Sequence, residues 1–326
     1  MTSPLMTDPV HDGMTDPTLV PGEDPGEWWC FFAHRRANTK ISALPAIGRC
    51  HGTDVGVMQS RDDGRSWLYR GVLPLPIGPG HNTLWGPMAV RVGDEVHLFV
   101  TYLEGVPNDL AWDTHGRPSR WPREIHHLVG TDLWTWRSAG RLDLGTEHAV
   151  DPCVARLPDG GWAMWFKDEA AGGAVRRTTS ADLRSWAPPQ DVLDGWHESP
   201  VVKQLGDYYW LIAETRDGLR AYRSADAETW TEQGAFMDAA GTRPLDHGPA
   251  RSPDLVAVGP DHGFLVYYAQ SGTDAFGEPA PTSAQSSVLQ AAHIAVRDGR
   301  LVCDRNLSLQ LDLSGAIHPH HKELVR

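Results

Sequence analysis

Only four cysteines occur in 326 residues, at Cys30, Cys50, Cys153 and Cys303, and no two form a Cys-x-x-Cys pair. That spacing argues against the common zinc and redox motifs and predicts reduced, buried thiols. No run of Lys and Arg appears, and the formal net charge is -13. Both argue against a nucleic-acid partner, because binding a phosphate backbone depends on clustered cations. No stretch approaches the roughly 20 apolar residues that cross a bilayer, so no membrane partner is expected. The opening residues, MTSPLMTDPVHDGMTDPTLVPGEDPGEWW, have neither a basic start nor an apolar run. No signal peptide is visible, and the expectation is a cytoplasmic protein with a single domain over residues 1–326, of which 1–14 form an N-terminal extension. Helical periodicity is missing as well.

What is abundant is tryptophan and turn-formers: 14 Trp, 33 Gly and 25 Pro. Short apolar strands recur in pairs around Gly/Asp turns, as in MAVRVGDEVHLFVTY (88–102), CVARLPDGGWAMWF (153–166) and PVVKQLGDYYWLIAE (200–214). Each is a hairpin signal. WWCFFAHR (28–35) and GFLVYYA (263–269) supply the second strand of two further units.

A second element follows each of the first four hairpins: SRDDGRSW ending at Trp67, GTDLWTW at Trp136, SADLRSW at Trp186 and SADAETW at Trp230. Its Asp closes a turn by accepting backbone N–H groups, and its Trp fills the gap between neighbouring sheets. The Trp-to-Trp intervals are 69, 50 and 44 residues, the period of a propeller blade. The fifth unit, ending AVRDGRLVCD (295–304), keeps the turn and lacks the Trp. The fold expected is all-β, a five-bladed β-propeller. Units one and two carry surplus residues near 34–54 and 104–124, expected to wall a pocket at one rim.

Each unit opens on a head motif. These read Thr15-Asp16-Pro17, Trp85-Gly86-Pro87, Val150-Asp151-Pro152, His197-Glu198-Ser199-Pro200 and Asp246-His247-Gly248-Pro249. A single Asp-Pro is an ordinary turn dipeptide, and Asp8-Pro9 and Asp24-Pro25 are further copies. Three carboxyl groups at matching heads are different, because the innermost strands of a propeller begin at one axis. Asp16, Asp151 and Glu198 then share a cavity. Glycoside hydrolysis needs such a set: one protonated carboxyl for the leaving oxygen and one carboxylate to activate water or attack. A third carboxylate raises the pKa of the acid.

These heads and tags resemble the five-bladed glycoside hydrolases of family 43 and their relatives in families 32, 62, 68 and 117. The resemblance spans nearly the whole chain, and HESPVVKQLGDYYWL (197–211) is its most specific part. It implies Asp16 as general base, Asp151 as the residue tuning the acid, and Glu198 as general acid. It also implies inversion and an arabinofuranoside or xyloside substrate, with the two acting carboxyls at roughly 6.5–9.5 Å. The two rim insertions point to a closed pocket that takes chain ends, and hence to exo action. No cofactor is required for chemistry, but a structural calcium or sodium ion on the axis is implied, with His247 near it. Trp85 is the candidate stacking platform, and Arg35, Arg251 and His197 are candidate sugar-binding residues.

Other readings remain open. A retaining fructosidase would carry Asn-Asp-Pro-Asn and Arg-Asp-Pro motifs, and Thr15, Thr18 and Val150 depart from both. An anhydro-galactosidase-like enzyme would use a His as acid. A non-catalytic carbohydrate-binding propeller would keep Trp platforms without needing three acids. SRDDGRSW also fits a sialidase Asp-box, but no arginine cluster with a Tyr nucleophile accompanies it.

Overall fold

Runs of Val, Tyr, Trp and Phe broken by Gly-Asp turns form strands, and they pair in the order in which they occur. The computed structural model describes residues 4–38, 50–106, 121–216, 218–270 and 286–316. Most of the two surplus segments, 39–49 and 107–120, therefore lies outside the described residues, as does any wall they build. Blade one consists of β1 (Met14–Pro21), β2 (Trp28–His34), β3 (Asp54–Ser60) and β4 (Leu68–Val72). Blade two holds β5 (Thr83–Val92), β6 (Glu95–Leu103), β7 (Glu124–Gly130) and β8 (Trp136–Arg141). Blade three holds β9 (Ala149–Arg156), β10 (Trp162–Asp168), β11 (Ala174–Ser180) and β12 (Gln190–Leu193). Blade four holds β13 (Glu198–Leu205), β14 (Tyr208–Thr215), β15 (Gly218–Ser224) and β16 (Thr231–Phe236). Blade five holds β17 (Arg251–Ala257), β18 (His262–Gln270), β19 (Ser287–Arg297) and β20 (Arg300–Cys303).

Each sheet is a four-stranded antiparallel meander. The first strands β1, β5, β9, β13 and β17 touch in succession, and β17 returns to β1. That closed ring is the axis of a five-bladed β-propeller.

The tags behave as their chemistry requires. Asp62, Asp132, Asp182 and Asp226 each sit in the turn before the fourth strand and accept backbone N–H bonds at 2.6–3.0 Å. The following residues, Asp63, Leu133, Leu183 and Ala227, all take φ of 56–63° to make that turn. Three tag tryptophans then meet an aromatic ring of the preceding blade edge-on. Trp136 faces Phe31, Trp186 faces Phe99 and Trp230 faces Trp165, with centroids at 6.0–6.2 Å. The core is thus a set of inter-blade seams filled by large rings. None of the four thiols is in a disulfide; Cys30 and Cys153 are buried, and Cys50 and Cys303 are half-buried.

Residues 4–13 do not form a free extension. Leu5 and Met6 donate to the Leu289 carbonyl at 2.9 and 3.2 Å, and Asp8 meets the His34 imidazole at 2.9 Å. After β20 the chain returns to blade one, where Leu313 donates to the Asp63 carbonyl at 2.8 Å and buries its side chain. Both segments fasten blade five to blade one and close the ring.

Candidate active site

At the axis, one backbone device repeats five times. Asp16, Gly86, Asp151, Ser199 and Ser252 each precede a proline, and each adopts a left-handed φ between 37° and 55°. At each of these points the pairing with the second strand slips by one residue. A bulge of this kind bends the strand and re-aims its side chains. Non-glycine residues at positive φ carry strain, which the surrounding packing has to hold.

This register changes two assignments made from the sequence. Asp16 and Asp151 do occupy matching positions, but in blade four that position belongs to Ser199, and Glu198 stands one residue earlier. The blade-five head is Ser252-Pro253, because β17 begins at Arg251. Asp246-His247-Gly248-Pro249 lies on the loop before it, where no ladder sets the register. Asp246 is fully buried there with Arg243, Arg305 and Tyr267, so it braces the blade.

Four of the five heads form a hydrogen-bonded chain around the axis. Ser252 donates to Asp16. The Ser199 and Ser252 hydroxyls lie 2.8 Å apart, and the Ser199 N–H donates to Asp151 at 3.0 Å. The fifth, Gly86, lies close against Asp151: a Cβ there would stand 3.1 Å from Asp151 Oδ1. Together the heads and the residues after them enclose an axial cavity of about 40 Å³. A second recess, of about 470 Å³, opens alongside between blades two and three, lined by Glu124, Thr146, Glu147 and His148 among others. It is the larger of the two, but the acids of the heads line the axial one.

Beside the chain stand the remaining charged groups. Glu198 is bound by the Lys167 ammonium at 2.6 Å, and Lys167 is itself buried and 3.6 Å from Glu169. Glu169 in turn holds Arg123 at 3.0 Å. Glu214 is buried and ion-paired with Arg251. Arg35 donates to the Cys50 thiol at 3.0 Å and lies close enough to Asp16 to favour its ionised form. Four carboxyl groups, Asp16, Asp151, Glu198 and Glu214, thus face three cations, Arg35, Lys167 and Arg251.

That balance shifts the carboxyls unequally. Burial pushes Asp16 up, against hydrogen bonds from Ser252 and Thr15 and the charge of Arg35, while Glu198 adds to the rise. Asp151 is pushed up to about 7, by burial first and then by Asp16 and Glu198, against the pull of Lys167. Glu214 rises to about 8, again chiefly by burial, although Arg251 opposes it. Lys167 is held above its ordinary value, because Glu198, Glu169 and Asp151 outweigh its burial. Carboxyls whose proton affinity is raised by burial, beside one held by a buried ammonium, are the ingredients of acid–base chemistry.

The other expected site residues divide. Arg35 and Arg251 stand among the acids, each already engaged with protein. Trp85 is half-buried, donating to the Cys50 carbonyl at 2.6 Å and stacking on His51 at 22°, with the Arg123 guanidinium 5.8 Å from its centroid. His197 points into blade four: its ring is buried, Nε2 is 3.1 Å from the Tyr222 hydroxyl, and Nδ1 is 3.4 Å from the Gly195 carbonyl. Burial lowers its pKa, so this imidazole packs as a neutral group.

His247 is exposed, 3.3 Å from the Gly241 carbonyl, and does not line the axial cavity. Among the described residues no three His, Cys, Asp or Glu are placed to hold a metal ion. The layer below the heads contains one acid, Asp254. Its oxygens take the Leu19 and Leu255 N–H groups at 2.8 Å and the Lys203 ammonium at 3.4 Å. These residues do not fit an axial cation, because the only carboxylate of that layer is already neutralised.

Sequence reasoning missed Lys167, Glu214, Ser199 and Ser252. A signal existed for the first two: each is a charge near the end of an apolar strand, WAMWFKD and YYWLIAET. A charge buried in such a strand needs a partner.

No protein-family model and no curated protein matches the sequence. The structure, however, is similar to solved ones. One is a family 43 β-xylosidase/α-arabinofuranosidase from a compost microbial metagenome, in its calcium-free form with xylotriose. It is 14% identical, with 94% of this chain and 97% of that chain covered and a TM-score of 0.65. The fold is that of the five-bladed glycoside hydrolases. A family 43 β-1,3-galactosidase with galactodeoxynojirimycin is 12% identical, with 89% and 93% covered and a TM-score of 0.64. A family 32 β-fructofuranosidase of Bombyx mori with sucrose is 14% identical, with 92% and 64% covered and a TM-score of 0.59. At these identities the likeness is one of fold, and its members differ in the sugar they take.

Proposed function

We propose that the protein is a glycoside hydrolase. Asp16 acts as general base, Glu198 as general acid, and Asp151 sets the ionisation of both. The observation that carries this reading is the chain Asp16–Ser252–Ser199–Asp151, with Glu198 electrostatically coupled to both of its ends. Asp16 lines the axial cavity and Glu198 stands beside it, held by Lys167; two carboxyls with opposed environments are what hydrolysis of an acetal requires.

The substrate class proposed is an arabinofuranoside or xyloside, as an oligosaccharide end or a small glycoside inside the cell, cleaved from the end with inversion. Support comes from the pentose-acting relatives of the same fold. In an inverting reaction, Asp16 takes a proton from water as that water attacks the anomeric carbon. Glu198 gives its proton to the departing oxygen, and Lys167 keeps the resulting carboxylate in place. Arg35 and Arg251 are proposed to meet sugar hydroxyls, and Trp85 to offer its remaining edge.

A carbohydrate-binding propeller without catalysis would gain nothing from gathering the half-buried Asp16, Asp151 and Glu198 around the buried Glu214, since withdrawing carboxyls from water costs solvation. The test is Glu198→Gln against aryl and alkyl arabinofuranosides and xylosides, with NMR of the released sugar. An enzyme loses about 10²–10⁴-fold of its turnover while still binding ligand, and the first-formed anomer is inverted. Unchanged turnover in Glu198→Gln would remove Glu198 from the mechanism. A wild-type protein that binds sugars and cleaves none would be the binding propeller.

A further inference from the structure

Glu214 has no place in a three-acid scheme, yet it stands directly across from Glu198 in the β13–β14 pairing. Residues opposed in this way leave the same face of the sheet, with Cβ atoms about 4.5–5.5 Å apart, and like charges there repel. Glu214 is 2% exposed, so water does little to screen that repulsion. The charges around it are uneven. β17 contributes Arg251, its ion-pair partner. β13, β1 and β9 contribute the carboxyls of Glu198, Asp16 and Asp151, all of which act against its ionisation. β18 contributes the Tyr268 hydroxyl, which together with Asp16 lies near Arg35. From β15 the residue opposite is the apolar Leu219. Lys167, from β10, is spent on Glu198.

We propose that Glu214 is a positioning residue that shares a single proton with Glu198 across the strand pair. In the working form Glu198 carries the proton, and Arg251 compensates the Glu214 carboxylate. Losing that proton would leave two carboxylates on one face of the strand pair, so the pair holds it against the charge of Lys167. The upward displacement of Glu214 to about 8 agrees with a proton retained by the pair. The proposal rests on Glu198 being the general acid.

The test is a ¹³C NMR titration of the full chain labelled at glutamate side-chain carboxyls, with resonances assigned from Glu198→Gln and Glu214→Gln. In the wild type, one carboxyl of the pair is expected to keep its proton to neutral pH or above. In Glu214→Gln, Glu198 is expected to ionise lower by about one pH unit or more, the threshold at which two sites count as coupled. The alkaline limb of kcat/KM should move down by the same interval for alkyl glycosides, which depend on leaving-group protonation. Aryl glycosides should be much less affected. The double variant Glu214→Met/Arg251→Met removes both members of the buried ion pair and guards against misfolding of the single variant. Glu198 titrating at the same pH in the wild type and in the variants overturns the proposal. So does a wild type in which both glutamates ionise below pH 6. A wild type that shows the shared proton and hydrolyses no glycoside would keep the pairing and reject the hydrolase.

Discussion

The Ser199 hydroxyl lies 2.8 Å from that of Ser252, and this contact joins the two aspartates of the axis. Ser252 donates to Asp16, while Ser199 donates to Asp151. Removing the Ser252 hydroxyl takes a donor from a carboxylate that burial already pushes upward. A hydrogen bond to a charged group is worth about 2 kcal/mol, so Ser252→Ala should raise the pH at which the base becomes ionised. The expected outcome is an acid limb of kcat/KM displaced to higher pH, with activity at pH 5 reduced about tenfold. An unmoved acid limb would mean that Ser252 does not act on Asp16.

Lys167 acts on the other side of the mechanism. Its ammonium is 2.6 Å from Glu198 and 5.1 Å from the centroid of Trp196. It favours the ionised acid and fixes where that acid points. Lys167→Met should therefore split two effects: Glu198 keeps its proton to higher pH, while kcat falls because the carboxyl is no longer held. A pH–rate profile with lower height and an alkaline limb moved upward is expected. A profile lower in height but fixed in position would leave Lys167 with packing alone.

The propeller was legible because its signals are local. An Asp that closes a turn and a Trp that fills a seam recur in the first four blades and need no long-range information, as Asp226 and Trp230 show. The head register was harder. In blade four the acid precedes the bulge instead of sitting in it, and a four-residue slip separates Gly248-Pro249 from Ser252-Pro253 in blade five. Both patterns look like x-Pro in one dimension, and only strand pairing tells them apart. Lys167 and Glu214 sit on second strands, where the sequence offers a charge but not the partner across the sheet. Sugar identity was not legible, since it depends on rim residues that no repeat constrains.

Asp151 and Glu214 also tie stability to pH. Both are raised in the folded state, to about 7 and about 8, from ordinary carboxylate values. A folded state that binds its protons more tightly than the unfolded chain is favoured where those protons are bound. The contribution is fully present below the unfolded pKa near 4 and is lost as pH rises through 7 and 8. Thermal unfolding should occur at a higher temperature at pH 5 than at pH 8.5. Asp151→Asn and Glu214→Gln should each flatten that slope, because a neutral amide has no proton to lose. A slope unchanged in both variants would place the titrating groups elsewhere.

Lys203 bears on whether the axis needs a metal. Its ammonium neutralises Asp254 at 3.4 Å, and Cys153 lies near enough to interact with it. The side chains of Thr18, Met88 and Val201 complete that layer of the cavity and add no second carboxylate. A positive charge borne by the chain would make an added cation redundant. The full chain should then unfold at the same temperature in EDTA, in calcium and in sodium, with unchanged activity if it is an enzyme. Lys203→Met leaves the Asp254 carboxylate buried without its ammonium, a change that costs about 3–5 kcal/mol for a buried pair and less here because Lys203 is partly exposed. Unfolding should come at a clearly lower temperature in that variant, and Asp254→Asn introduced with it should restore much of the loss. A wild-type protein that loses stability in EDTA and regains it with calcium would show that Lys203 does not replace the ion.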